Sequence, residues 1–122
     1  MEFINDPNNP PAGHYSQAVI ANGLVFLSGV LPAALAPGDF ENQVRQVLAK
    51  ANEILVHAGS ALDHAVQCTA YIVGVEHWPD FNRVYMEVLG QHKPARTVVP
   101  VTELHYGSLV ELQVVAALRQ TR

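Results

Sequence analysis

From Phe40 to Ala58 the apolar positions are Val44, Val47, Leu48, Ala51, Ile54, Leu55 and Ala58. Steps of three and four put them on one face of a helix. Asp39 stands where an N-cap belongs, and Gly59 where a C-terminal glycine does. A second helix is expected over "HWPDFNRVYMEVLG", with Pro79 in its first turn and Gly90 past its end. The rest of the pattern has the strand period or is continuously apolar. "YSQAVIANGLVFLSG" is two β-rich runs around Asn22-Gly23, a hairpin turn signal. "AVQCTAYIVGV", "ARTVVPVTEL" and "SLVELQVVAAL" are three further strands, and "VLPAALAPGD" is a loop. Residues 1 to 13, rich in Asn and Pro, read as an irregular arm. The expected order is β-β-α-β-α-β-β, one α/β domain over residues 1 to 122 with a mixed sheet and both helices on one face.

The strands are apolar at nearly every position, which implies cover on both faces. Two helices cover only one. Composition sharpens the point: 49% of the 122 residues are hydrophobic and 15% are charged. Self-association, sheet face to sheet face, would supply the missing cover. The net charge of −4 and the lack of a basic stripe disfavour nucleic acid. No apolar run reaches membrane-span length, and "MEFINDPNNPP" has no signal-peptide core, so the expected location is the cytoplasm. The one cysteine, Cys68, builds no disulfide or thiolate cluster and reads as a small core residue.

Two charges interrupt the apolar runs. Arg96 opens one strand and Glu111 sits inside another. A charge buried without a partner costs several kcal/mol or more, on the order of a whole domain's margin. For Arg96 two readings are open: a stem that snorkels to water, or a guanidinium fork for a carboxylate. Glu111 shares its strand face with Leu109, Gln113 and Val115. That face is either wet or part-apolar; in the second case the carboxylate has a raised pKa and can act as a base on water. The six histidines fall on different elements with no ligand-type pair, so no metal is expected. No phosphate loop, catalytic triad or nucleophile elbow is present; Ser28 in "FLSGV" follows a strand but lacks the elbow pattern. Tyr71 and Tyr85 read as core or interface aromatics.

Taken together, these segments resemble the RidA/YjgF family of reactive-intermediate deaminases. "GHYSQAV" is similar to that family's "GPYSQAV", and "FNRVYMEVLGQHKPAR" to its "VNEVYAEYFGEHPPAR". "VFLSGVLP" and the final "VEL" also match in order and spacing. The resemblance implies a chorismate-mutase-like fold, assembled as a homotrimer with a barrel-like core of inward-facing sheets and sites in the clefts between subunits. It implies hydrolysis of 2-imino and 2-enamino acids, such as 2-iminobutanoate and 2-iminopropanoate, to 2-keto acids and ammonia, with no cofactor. Carried over by motif, Arg96 holds the substrate carboxylate, Glu111 activates water and Tyr15 closes the pocket. Asn82 supplies a polar contact, and Gly29 and Val98 offer backbone N–H groups beside Ser28. Two departures stand out. Val98 takes the place of a common cysteine, and "LHYG" (Leu104 to Gly107) replaces the usual "LPkg", putting His105 and Tyr106 at the cleft rim. The alternatives are a branch-specific deaminase, for 2-aminomuconate or a dicarboxylic imine, and a trimer that binds small carboxylates without turning them over.

Overall fold

The computed structural model describes residues 1–32 and 39–119. Most of the expected loop over "VLPAALAPGD" lies outside them. Six strands form one mixed sheet in the order β1-β2-β3-β6-β4-β5. They are β1 (Glu2–Ile4), β2 (Ala18–Ala21), β3 (Leu24–Leu27), β4 (Ala65–Val73), β5 (Ala95–Val101) and β6 (Val110–Ala117). The helices are α1 (Phe40–His57) and α2 (Trp78–Leu89). β4 and β5 run parallel through the α2 crossover, and every other pairing is antiparallel.

Local chemistry sets these boundaries. Asn22 and Gly23 both have positive φ, as the tight hairpin between β2 and β3 demands. The Asp39 carboxylate accepts from the Asn42 N–H at 3.2 Å, a cap contributing about 1 kcal/mol. Gly59, at φ 94°, turns the chain out of α1, and the Ser60 N–H closes back on the Leu55 carbonyl at 2.8 Å. Pro100 sits in β5, an edge strand, where a missing N–H need not break a ladder.

One expectation needs correction. The first thirteen residues are not wholly irregular: Glu2–Ile4 adds a strand beside β2, with Phe3 opposite Val19. Gln17 anchors the following turn: its side-chain oxygen accepts from the Asp6 N–H and its amide N–H donates to the Asn9 carbonyl, each at 2.8 Å. Composition rich in Asn and Pro hid a three-residue strand that exists only because β2 offers it an edge.

The helices cover one sheet face. Val44, Val47, Leu48, Ala51 and Leu55 of α1 and Phe81 and Val84 of α2 are buried against Cys68, Ala70 and Ile72 of β4 and Val110, Leu112 and Val114 of β6. Each fully buried Leu or Val contributes roughly 1.5–3 kcal/mol of transfer free energy. Cys68 belongs to this core, and burial pushes its thiol pKa up. The other face is less covered than its residues imply. Phe26 is exposed, and Val19, Val115, Tyr71 and Val99 are only partly buried. Within one chain the apolar alternation is therefore satisfied on the helix side alone.

Candidate active site

The sheet register splits the predicted site residues into two groups. Glu111 pairs with Tyr71, which pairs with Val99; Arg96 pairs with Cys68, three residues farther along. Two strand spacings sideways and three residues lengthwise separate the two Cα atoms by about 14 Å. The faces differ as well. Arg96 and Val98 lie on the Cys68–Ala70 side, under α2, and Glu111 lies on the open side. Within one chain these side chains cannot meet on one small substrate.

The first group surrounds Glu111. Phe26 faces Val115 in the β3–β6 ladder, yet Val30 bridges Leu112. Four residues on one strand span three on the other, so Ser28-Gly29 carries a β-bulge, a device that re-aims backbone beside sites. Ser28 is pinned there: its N–H reaches the Gln17 carbonyl at 3.0 Å and its hydroxyl donates to the Ser16 carbonyl at 2.6 Å. Gly29 packs directly on the Glu111 carboxylate, whose Oε2 occupies the space a Cβ at position 29 would need. Its glycine serves space here, since its φ is not in the left-handed region. Burial raises the Glu111 pKa above the ordinary 4.5, and the charge of His105 partly opposes that rise. Tyr15, Ser28, Gly29 and Tyr106 line a cavity of about 400 Å³ that α1 also borders through Lys50 and Ile54.

Of the two residues expected at the rim, Tyr106 lines this cavity and His105 is not among its lining residues. The Ser108 N–H returns to the His105 carbonyl at 3.2 Å, closing a turn whose central residues, Tyr106 and Gly107, both have positive φ. That is the type I′ pattern, which favours Asn-Gly. A tyrosine at φ 61° costs about 1 kcal/mol. The two rings touch at a tilt, with centroids 3.7 Å apart and 39° between their planes.

The second group surrounds Arg96. Its guanidinium lies over the Tyr85 ring at 5.1 Å and donates to Asn82 Oδ1 at 3.0 Å. Asn82 thus orients Arg96, a role that the sequence pattern had only as an unspecified polar contact. Arg96 has no carboxylate within salt-bridge distance among the described residues, although α2 carries the acidic Asp80 and Glu87. Those two are held by Arg83 and Arg45. Sequence reasoning missed Tyr85 as a member of this group. It is buried, and burial first, then the neighbouring Cys68 thiol, raise its hydroxyl's pKa. Its i+3 spacing from Asn82 on an amphipathic helix was the available signal.

Comparison with known proteins decides the family. The family model described as endoribonuclease L-PSP matches residues 6–118. The chain belongs to this Rid (YjgF/RidA) family. A RutC family protein of Pyrococcus horikoshii is 36% identical over 94% of this chain and 96% of its own length. A conserved Rid family protein from Yersinia pestis, YyfA, superposes with TM-score 0.89 at 33% identity, covering 96% of this chain and 98% of that one. The TdcF structure from E. coli, solved with bound serine, superposes with TM-score 0.87 at 27% identity over 98% and 100% of the two chains. The expected mixed sheet with two helices is thus the Rid fold. Among the described residues no helix is long and apolar enough to cross a membrane.

Proposed function

We propose that this Rid protein hydrolyses 2-imino and 2-enamino acids to 2-keto acids and ammonia, at sites completed between the chains of a homotrimer. The observation that carries the reading is the Glu111 carboxylate, partly desolvated and pressed on the backbone of Gly29 at the Ser28-Gly29 bulge. A carboxylate of raised pKa beside a cavity is a base suited to water.

The chemistry follows from that placement. The enamine tautomerises to the electrophilic imine. Water adds to the imine carbon as Glu111 accepts its proton, and the nitrogen takes up a proton to give a carbinolamine. The Glu111 acid then returns its proton to the amine, the hydroxyl gives its proton to solvent in exchange for the one the nitrogen took up, the C–N bond breaks, and ammonia leaves with a 2-keto acid. Arg96 of a neighbouring chain holds the substrate carboxylate by two parallel hydrogen bonds. Asn82 and the Tyr85 ring pre-orient it. Orientation and proton transfer are sufficient for a hydrolysis that already proceeds unaided. The trimer reading rests on the split of Arg96 from Glu111 and on the partly exposed Phe26, Val115 and Val99 of the open sheet face.

A binding protein without turnover is the second reading, favoured by the serine in the E. coli TdcF structure. The family model's nuclease description finds less support in this chain, where acidic residues outnumber Lys and Arg by 11 to 7.

The test is a coupled assay. An amino-acid oxidase generates a panel of imino acids, and semicarbazide traps those that escape hydrolysis. The protein should reduce trapping, and light scattering should give about three times the 13.3 kDa chain mass. Undiminished trapping for every imine, with keto acids still bound, would leave the binding reading in place.

A further inference from the structure

We propose that Tyr106, held at the head of its turn, forms the wall that sets side-chain specificity, and that the site takes 2-imino acids bearing an aromatic side chain. The inference rests on the deaminase reading above and names its substrate class.

Three observations carry it. The first is size. The cavity holding Tyr15, Gly29 and Tyr106 measures about 400 Å³, within the range that accommodates ligands far larger than a three-carbon imino acid. The second is lining. Beside the two tyrosine rings it presents Pro10, Pro11, Val30 and Ile54 among a few polar side chains, and its sole charged lining residue among those described is Lys50, whose ammonium gives one hydrogen bond to the Leu31 carbonyl at 3.3 Å. Such a wall suits a flat apolar group, which tyrosine rings meet edge-to-face or offset-stacked. Ser108 also lines the cavity, buried, with its hydroxyl unpartnered.

The third is conformation. A type I′ turn takes Asn or Gly at its first central position with least strain, yet here it holds Tyr106 at φ 61°. The ring gains little packing in return, being 66% exposed and, among the described residues, in ring contact only with a tilted His105. Strain that buys no packing, at a cavity mouth, marks a residue kept for what it meets there.

Tyr106→Asn separates a functional wall from a structural one. Asn fits the left-handed position and removes the ring, so the variant should melt at a higher temperature than the parent. Wild type should hydrolyse the phenylalanine-derived imino acid with kcat/KM at least about tenfold above the alanine-derived one, and Tyr106→Asn should bring that ratio toward unity. A wild-type ratio at or below unity, or a ratio the variant does not move, overturns the proposal. Should no imine be hydrolysed, the deaminase reading falls by itself, and calorimetry still decides the wall. Phenylpyruvate binding more tightly than pyruvate, with the difference lost in Tyr106→Asn, upholds it; equal affinities overturn it.

Discussion

The Glu111 group and the Arg96 group differ in how they are held. Glu111 is fixed by backbone: a bulge at Ser28-Gly29, a bridge from Val30 to Leu112, and a turn at Tyr106-Gly107. Arg96 is fixed by side chains: Asn82 on one side and the Tyr85 ring beneath. The first group is partly desolvated and carries a perturbed acid. The second stands at an exposed sheet edge with a cation that no acid neutralises among the described residues. In the proposed reading each is half of a carboxylate-processing site. A base must be held out of water to be tuned, while a carboxylate grip must stay open to its ligand.

The largest effect should come from breaking each half in turn. Glu111→Gln should cost about 10²–10⁴-fold in turnover, and Arg96→Ala on the order of a hundredfold in kcat/KM, since each charge-assisted hydrogen bond contributes about 1.5–3 kcal/mol. The two inactive variants, unfolded and refolded together, should then recover activity. Random mixing in a symmetric trimer restores about a quarter of the sites when the halves come from different chains. No recovery in a mixed trimer, verified by mass spectrometry of tagged chains, would put both halves in one chain and contradict the register.

Gly29→Ala sharpens the comparison within the Glu111 group. The new methyl meets the far end of a flexible side chain, so the carboxylate can swing away cheaply. The melting temperature should change little, while turnover falls by at least about tenfold through misplacement of the base. Keto-acid affinity, set by the Arg96 group, should survive. A variant with normal turnover would show that the contact with Gly29 does not position the base.

The smallest effect concerns pH. In the proposed reaction the acting form of Glu111 is the carboxylate, and burial holds its pKa above 4.5. Activity should therefore be lost as pH falls through that raised value. Stability runs the other way: a carboxyl that binds its proton more tightly when folded contributes stability at low pH, lost as pH rises through the folded pKa. Glu111→Gln should flatten both profiles. Because the His105 charge lowers the Glu111 pKa, His105→Ala should move the acid limb of the kcat profile to higher pH. A limb that stays put would remove His105 from the electrostatics of the site.

Much of this protein could be read along the chain. The α1 stripe of Val44, Val47, Leu48, Ala51 and Leu55, the Asn22-Gly23 hairpin, the Asp39 cap and the terminal glycines are short-range features. They depend on residues a few positions apart, so the sequence states them outright. The same holds for Arg96 and Glu111 as out-of-place charges, and for the family motifs that gave them roles. What no local pattern carried was the geometry between strands distant in sequence. The β1 strand depends on the edge of β2. The bulge at Gly29 depends on counting residues against β6. The separation of Arg96 from Glu111 depends on β4 lying between β6 and β5, and on a register that turns the two side chains to opposite faces. A period of two tells which residues share a face of one strand, but only pairing across strands tells which face of the sheet that is. The sequence thus determined which groups the chain owns, and the tertiary structure decided that one chain cannot bring them together.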